Sequence, residues 1–206
     1  MKKYALGCAV LLVLFVLIVG MAGCNSYNGV VGLSQQVDKQ WAQVQNVYQR
    51  RADLIPNLVN TVSGAANFEK STLTDIVQAR ASVGQVKVNT AEAPSDPAEL
   101  QKFQEAQGRL SSALSRLLVV VERYPELKAN SNFLALQAQL EGTENRITVE
   151  RQKFNEVVQT YNTSIKQIPT MFIARLAGYS PKPYFAAKEG SETPPKVEFN
   201  FGTPAK

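Results

Sequence analysis

Apolar residues recur at steps of three and four through most of the chain after Leu33, which is the spacing of one face of an α-helix. The first stripe predicts one long amphipathic helix that ends at Gly64, with a kink near Ala52–Pro56 because proline lacks the N–H that the turn needs. The stripe consists of Leu33, Val37, Trp41, Val44, Tyr48, Ala52, Ile55, Val59 and Val62. We expect Trp41 to lie in the core.

Three more helical segments follow. Residues 68–83 place Phe68, Leu73, Ile76 and Val77 on one side, and residues 84–97 are expected to form an exposed loop because they lack periodicity. Asp96, Pro97 and Glu99 then have the spacing of a helix start. The stripe of that helix is Phe103, Ala106, Leu110, Leu114, Leu117, Val121 and Tyr124, before Pro125.

The longest predicted helix begins near Phe133, spans about 35 residues and closes at Pro169. No comparable strand alternation precedes the C-terminal tail. Long amphipathic helices joined by short turns predict an all-α fold, an antiparallel up-and-down helical bundle. We divide the chain into a membrane anchor (residues 1–23), the bundle (24–185) and an extended or disordered tail (186–206).

Residues 4–23 are uncharged and follow Lys2 and Lys3. At about 1.5 Å per residue they would cross a hydrocarbon core of about 30 Å, with the lysines inside and the rest of the chain facing outward. Two forms of anchor stay open. Residues 4–23 form a retained transmembrane helix, or they belong to a lipoprotein signal peptide that is cleaved before a lipid-modified Cys24. Met21 to Cys24 resemble the bacterial lipobox, although Met21 stands where leucine is usual.

The amino-acid composition excludes several kinds of catalytic and metal site. The sequence has no histidine, and its two cysteines, Cys8 and Cys24, both lie near the N-terminus. The remainder therefore lacks a thiolate nucleophile, a Cys/His zinc site and a Ser-His-Asp triad. Acidic and basic residues alternate, so no basic run follows a nucleic acid backbone. We predict no enzymatic activity, no cofactor, no metal and no nucleic acid partner.

Two polar clusters are candidates for a shared site. Arg50, Arg51, Asp53 and Asn57 lie on the first helix, and Glu141, Glu144, Asn145 and Arg146 lie on the longest one. If the clusters meet, they form a paired polar layer that sets helix register. Alternatively they form a ligand or partner site in which Arg51 and Glu144 face outward.

An apolar segment near the C-terminus gives a second candidate site. Its members are Phe172, Ile173, Leu176, Tyr184 and Phe185. They either cap the open end of the bundle or contact a membrane surface or a partner.

Three stretches carry a family resemblance. They are YQRRADLIPNLVNTV (Tyr48–Val62), ERYPELKANSNFLALQAQLEGTENRITVERQKFN (Glu122–Asn155) and YNTSIKQIPTMFIARLAGYSPKPYF (Tyr161–Phe185). They resemble the LemA family of bacterial envelope proteins. The resemblance implies a membrane-anchored helical bundle with an extracytoplasmic domain and no established activity, cofactor or catalytic residue. It also implies a partner role, since such genes often lie near those of envelope proteins with a TPM domain or of membrane metalloproteases.

The expected function is therefore that of a non-enzymatic scaffold or adaptor in the bacterial cell envelope, where the partner is another envelope protein. The alternative is a membrane-remodelling or lipid-binding module that uses the aromatic C-terminal segment.

Overall fold

A computed structural model describes residues 2–65, 68–86 and 92–186, and side chains from Leu11 onward. Within these ranges the chain forms helices and irregular connections, with no β-strand. The helices are α1 (Lys2–Ser63), α2 (Lys70–Gln85), α3 (Pro97–Val121), α4 (Pro125–Lys128), α5 (Ser131–Ser164) and α6 (Thr170–Leu176). The all-α prediction is confirmed. Most of the predicted tail, from residue 187 to 206, lies outside the described residues.

The apolar N-terminal segment and the first amphipathic stripe form one helix. α1 spans 62 residues, so it, and not the 34-residue α5, is the longest helix. It continues through Pro56, whose ring is exposed to solvent while Ile55 and Leu58 on either side are buried. A proline inside a helix costs about 3 kcal/mol, and burial of neighbouring aliphatic side chains offsets a cost of that size. Gly64 follows the last helical residue, as predicted.

The helices meet in pairs. Trp41 and Arg51 of α1 contact Phe154 and Glu144 of α5, so position rises along one helix as it falls along the other. In the same way Arg116 of α3 pairs with Asp75 of α2, and Arg123, just after α3, pairs with Glu69, just before α2. Within each of these two pairs the helices run in opposite directions.

Apolar side chains are buried in two clusters along the length of α1. The cluster nearer the N-terminus of α1 centres on Trp41, whose ring lies 5.3, 5.7 and 6.1 Å from those of Phe103, Phe154 and Phe185. The second cluster packs Ile55, Leu58, Leu110, Leu117 and Phe133. Trp41 is core, as expected.

Side-chain caps fix where α3 and α5 begin. The Asp96 carboxylate accepts a hydrogen bond from the Ala98 N–H at 2.9 Å, and Pro97 occupies the first turn, as predicted. α5 begins at Ser131 because the Asn130 side chain accepts hydrogen bonds from the N–H groups of Asn132 and Phe133. Each cap satisfies N–H groups that have no partner inside the helix.

Two expectations about exposure were wrong. Val77 is exposed, and does not share the buried face of Thr72 and Ile76. In the predicted exposed loop, Ala93 and Pro94 are buried. The Ala93 N–H donates to the Asp38 carboxylate at 2.9 Å, and its carbonyl accepts from Lys182 Nζ at 2.8 Å. A loop whose backbone polar groups find partners in this way can be buried without an energetic penalty.

Candidate functional site

Arg51 is the buried charge at the centre of the molecule. Its side chain is 2% exposed, and its Nη1 donates to Glu144 Oε2 and Ser111 Oγ, each at 2.8 Å. Its Nη2 donates to the side-chain and backbone oxygens of Gln107. The Tyr48 ring lies 5.2 Å from its guanidinium carbon. These contacts link α1 to α3 and α5 through one side chain.

Two features of this cluster differ from a fully paired polar layer. Arg51 Nε is buried without a hydrogen-bond partner among the described residues. Glu144 is 54% exposed, so the carboxylate is solvated on one side. The cluster therefore lies between a buried interior and open solvent, with Glu144 on its solvated side.

Arg51 forms part of a groove between α3 and α5, which we call the α3–α5 groove. It encloses about 200 Å³ and is lined by Arg51, Ser111, Leu114, Ser115, Leu118, Gln137, Leu140, Glu141 and Glu144. Its surface is mostly apolar apart from an acidic rim on α5. A surface of this kind suits an apolar side chain that is flanked by a cation or an amide.

The other predicted polar residues lie outside this contact. Arg50, Asp53 and Asn57 on α1 and Asn145 and Arg146 on α5 are exposed. Glu141 is exposed at the rim of the groove and accepts a hydrogen bond from Gln137 at 2.9 Å. The structure thus brings together Arg51 and Glu144 from the two predicted clusters.

A second candidate surface lies beside the N-terminal half of α1. α6 packs on α1, and a Cβ atom added at Gly23 would lie 3.8 Å from Ile173 Cδ1. Just beyond α6, burial and a hydrogen bond with the Tyr27 side chain raise the pKa of Tyr179. α6 is therefore placed at the level where the uncharged segment of α1 ends.

α6 and the turn before it expose large apolar side chains, which we call the apolar patch: Ile168 (76% exposed), Phe172 (60%) and Leu176 (89%). They are four positions apart, which places Phe172 and Leu176 on one face of α6. Tyr184 is also exposed, and Ile173 is half-buried against α1. Phe185 does not belong to this surface: it is 5% exposed and packs against Trp41 and Phe154 in the core, which excludes the membrane or partner alternative for this residue.

The segment after α6, which we call the strap (residues 178–186), is irregular and packs along α5. Asn162 donates to the Lys182 carbonyl and accepts from the Lys182 N–H, both at 2.8 Å. Asn155 makes the same pair of bonds with Phe185, at 3.1 and 2.9 Å. Seven helical residues and three extended residues both span about 10 Å, so the two asparagines match the strap in register.

Lys182 joins the strap to the rest of the molecule. Its ammonium donates to the Ala93 carbonyl at 2.8 Å and lies 3.9 Å from Asp38 Oδ1, and both side chains are largely buried. Further along, Arg151 donates to the Ala186 carbonyl at 2.9 Å and stacks on the Phe185 ring. The strap is thereby held at Lys182, Phe185 and Ala186.

Several of these residues were not singled out from the sequence. Gln107 and Ser111 look like ordinary surface positions of α3, and Asn155 and Asn162 like solvated positions of α5. The two asparagines are seven positions apart, which places them on one face of the helix. That spacing does not indicate that the strap packs on this face.

The described residues define an all-α protein with one helix that is long and apolar enough to cross a membrane. The model of the LemA family matches residues 40–199, which is more than half of the chain. The chain belongs to the LemA family.

Similar proteins include the magnetosome protein MamQ of Magnetospirillum gryphiswaldense, 33% identical over 89 residues that cover 43% of this chain and 33% of that protein. Magnetosome protein MamQ 2 of Paramagnetospirillum magneticum is 25% identical over 187 residues, covering 82% of this chain and 67% of that protein. Protein LemA of Metamycoplasma hominis is 24% identical over 132 residues, covering 64% and 56%. The matches thus span from a third to two thirds of these relatives.

Proposed function

We propose that this chain is a non-enzymatic, membrane-anchored scaffold or adaptor of the bacterial cell envelope, with its helical domain on the extracytoplasmic side. The observation that carries this proposal is the continuity of α1, which runs without a break from Lys2 to Ser63. The same helix forms the apolar segment and supplies Trp41, Arg51 and Ile55 to the interior. One continuous helix therefore joins the proposed anchor to the domain.

A continuous helix transmits position and orientation, whereas a flexible linker transmits neither. Beyond its uncharged segment α1 is contacted by α2, α5 and α6, and α5 makes the largest of these contacts. A domain of this kind is held at a set height and rotation relative to the bilayer. That property serves a protein that must meet another membrane protein in one geometry.

The absence of enzymatic activity is part of the proposal. Among residues 11–65, 68–86 and 92–186, no group of three or more His, Cys, Asp or Glu side chains could hold a metal ion. Arg51 and Glu144 are paired with each other, and the nearby Ser111 Oγ accepts a hydrogen bond from Arg51. These observations support a binding role over a catalytic one.

The test is to break the rod without removing the anchor. An insertion of about seven Gly and Ser residues after Asn28 should keep the protein in the membrane fraction but uncouple the domain. A matched insertion of about seven Ala, Glu and Lys residues adds roughly two helical turns and returns the domain to nearly the same rotation. The readout is in-cell photo-crosslinking from Val149, which is exposed on α5 outside the α3–α5 groove and is replaced by a photoreactive residue.

We expect a specific envelope protein to be crosslinked by the unmodified chain and lost on flexible insertion. The helical insertion should recover part of the crosslinking, because it keeps the rotation of the domain but moves it by about 10 Å. Repeated absence of any specific partner would overturn the adaptor role. A partner that is crosslinked equally in the flexible variant would instead show that the rigid rod is not needed.

The apolar patch favours a second candidate, a lipid-binding module. Ile168, Phe172 and Leu176 are exposed at the level where the uncharged segment of α1 ends. Exposed apolar side chains at that height would enter the interfacial layer of a bilayer that α1 crosses. Basic Arg175 on the same helix would remain at the headgroup level.

This candidate is tested with Phe172→Trp in proteoliposomes that contain brominated lipid. The native Trp41 is fully buried and serves as an unquenched reference. Val119→Trp, at an exposed apolar position far along α3, is the matched control. Strong quenching at position 172 with none at 119 supports membrane contact, and equal weak quenching at both positions rejects it.

A further inference from the structure

The α3–α5 groove leaves two features of the interior unexplained. Leu114, Leu118 and Leu140 are half-buried: they pack against the second apolar cluster and also line the groove. Arg51 Nε beside them has no partner among the described residues. Water that fills the groove gains few hydrogen bonds from its apolar lining, and a buried cation without a full set of partners costs free energy. The groove therefore offers a surface to an apolar occupant.

We propose that the occupant is this chain's own C-terminal segment, with the Phe199 ring seated against Leu114, Leu118 and Leu140. The segment from 187 to 206 lies outside the described residues, so the proposal rests on where the strap leads, on distance and on chemistry. It is independent of the proposed scaffold function.

The direction of the strap is the first support. It runs against the direction of α5, from Asn162 to Asn155 and then to Arg151, which donates to Ala186. Arg151 also donates to Gln104 of α3 at 3.3 Å, so Ala186 lies between α3 and α5. Seven positions further along each helix, in the direction of the strap, are Glu144 and Ser111 of the groove.

Distance is the second support. Arg151 and Leu140 are eleven positions apart on α5, or about 17 Å along the helix. Phe199 is thirteen residues beyond Ala186, and a chain of that length has an r.m.s. reach of roughly 20 Å. Intramolecular binding is most favoured when the reach of the connecting chain matches the span.

The chemistry of the segment is the third support. Val197, Phe199 and Phe201 alternate with Glu198 and Asn200, so an extended chain presents the apolar side chains on one side. Lys196 precedes them and complements the acidic rim of Glu141 and Glu144. The LemA family match ends at residue 199 and thus includes Lys196 to Phe199.

The experiment measures proximity in the full chain, with Cys8→Ser and Cys24→Ser removing the native thiols. Gln137→Cys is placed on the groove, and Asn200→Cys next to Phe199 so that the ring is kept. The control pairs Asn200→Cys with Gln78→Cys, which lies in the groove between α2 and α3 on the opposite side of α3. Mild oxidation in detergent is followed by non-reducing gel electrophoresis and peptide mass mapping.

We expect the 137–200 disulfide to form within one chain on the order of tenfold faster than the 78–200 disulfide, because docking raises the local concentration of the thiols. Adding Phe199→Ser should reduce the rate to that of the control, and Phe199→Leu should retain most of it. Equal rates for both pairs overturn the proposal. Disulfides that link two chains overturn it as well and identify a second copy as the occupant.

Hydrogen exchange gives a readout that does not depend on cysteines. Ending the chain at Ala186 should increase exchange in residues 110–118 of α3 and 137–144 of α5, while α2 is unchanged. If exchange in the groove is the same with and without residues 187–206, the C-terminal segment does not occupy it. If exchange rises throughout the molecule, truncation has destabilised the whole fold, and the comparison of the two disulfide rates then accepts or rejects the proposal.

Discussion

At the scale of single residues, Arg51 is the side chain on which most of the interior polar contacts depend. It is buried beside Glu144, Ser111 and Gln107, yet its principal charged partner is half in solvent. Charge pairs that are partly solvated contribute little, whereas buried hydrogen-bond partners that lose their donor cost much more. Arg51 and Glu144 should therefore differ in importance.

We predict that Arg51→Ala lowers the free energy of unfolding by about 2–4 kcal/mol, because Gln107 loses its donor and a cavity remains. Glu144→Gln should cost about 1 kcal/mol or less, since an amide oxygen can still accept from the guanidinium. Urea titration in detergent measures both. Arg50→Ala, at the exposed neighbouring position, is the control. Equal losses at 51 and 144 would contradict this reading.

Tyr48 makes stability depend on alkaline pH. Burial, the largest cause, raises the pKa of Tyr48, although Arg151 and Arg51 act in the opposite direction. The unfolded chain ionises tyrosine at about pH 10, so it loses protons before the folded chain does. The folded state is then favoured below that pH, and the advantage declines as pH rises through and above it.

We predict that stability decreases above about pH 10 and that Tyr48→Phe makes this decrease shallower, because phenylalanine cannot ionise in the unfolded chain. Denaturant midpoints at several pH values between neutrality and strong alkali would measure the slope. Tyr184→Phe, at an exposed position, should leave the slope unchanged. A slope that is identical in Tyr48→Phe would exclude Tyr48 as its source.

At the scale of elements, the strap shows how an irregular segment is ordered without secondary structure. Each of Asn155 and Asn162 makes two hydrogen bonds to one strap residue, as a neighbouring strand would. The residues between, Pro183 and Tyr184, need no partner from α5. The strap also brings Phe185 into the aromatic cluster around Trp41.

We predict that Asn162→Ala and Asn155→Ala each lower the free energy of unfolding by about 1–2 kcal/mol, and that the double variant loses less than the sum because both hold one segment. The specific readout is hydrogen exchange of the Lys182 and Phe185 amides, which should lose protection. Asn145→Ala, on an exposed position of the same helix, should change neither. Full additivity would argue against a single cooperative strap.

At the scale of the whole molecule, α1 joins an uncharged segment of membrane-spanning length to the helical domain. α6 packs on α1 at Gly23, and the Tyr27 and Tyr179 side chains share a hydrogen bond nearby. These contacts lie on both sides of Cys24, which is an exposed free thiol. A retained helix keeps both contacts, whereas cleavage before Cys24 would remove the first.

We predict that the protein extracted from membranes has the intact mass of the full chain and that Cys24→Ser leaves it in the membrane fraction. Intact-mass spectrometry distinguishes the alternatives, because lipid modification of Cys24 would remove residues 1–23 and add diacylglyceryl. A mass that shows this exchange would establish the lipoprotein form and leave the domain from Val30 onward unchanged.

Local sequence patterns were sufficient to predict the helices but not to predict which residues of other segments pack against them. The stripes of α1, α3 and α5 and the Asp96 cap could be predicted since periodicity and capping depend on residues within a few positions of one another. Val77 and Ala93 were assigned wrongly because exposure depends on neighbours that are distant in sequence. The meeting of Arg51 and Glu144 could be predicted from the positions of their two polar clusters along the helices, but the partners Gln107 and Ser111 could not.

The all-α class, the family and the uncharged N-terminal segment follow from the order of residues alone, because hydrophobic period and local backbone preference act over short distances. Tertiary structure decided that α1 is continuous, that Phe185 is buried, that the strap pairs with Asn155 and Asn162, and that a groove opens above Arg51. These features depend on contacts across 20 to 93 positions of sequence, where side chains of different helices compete for the same interior space.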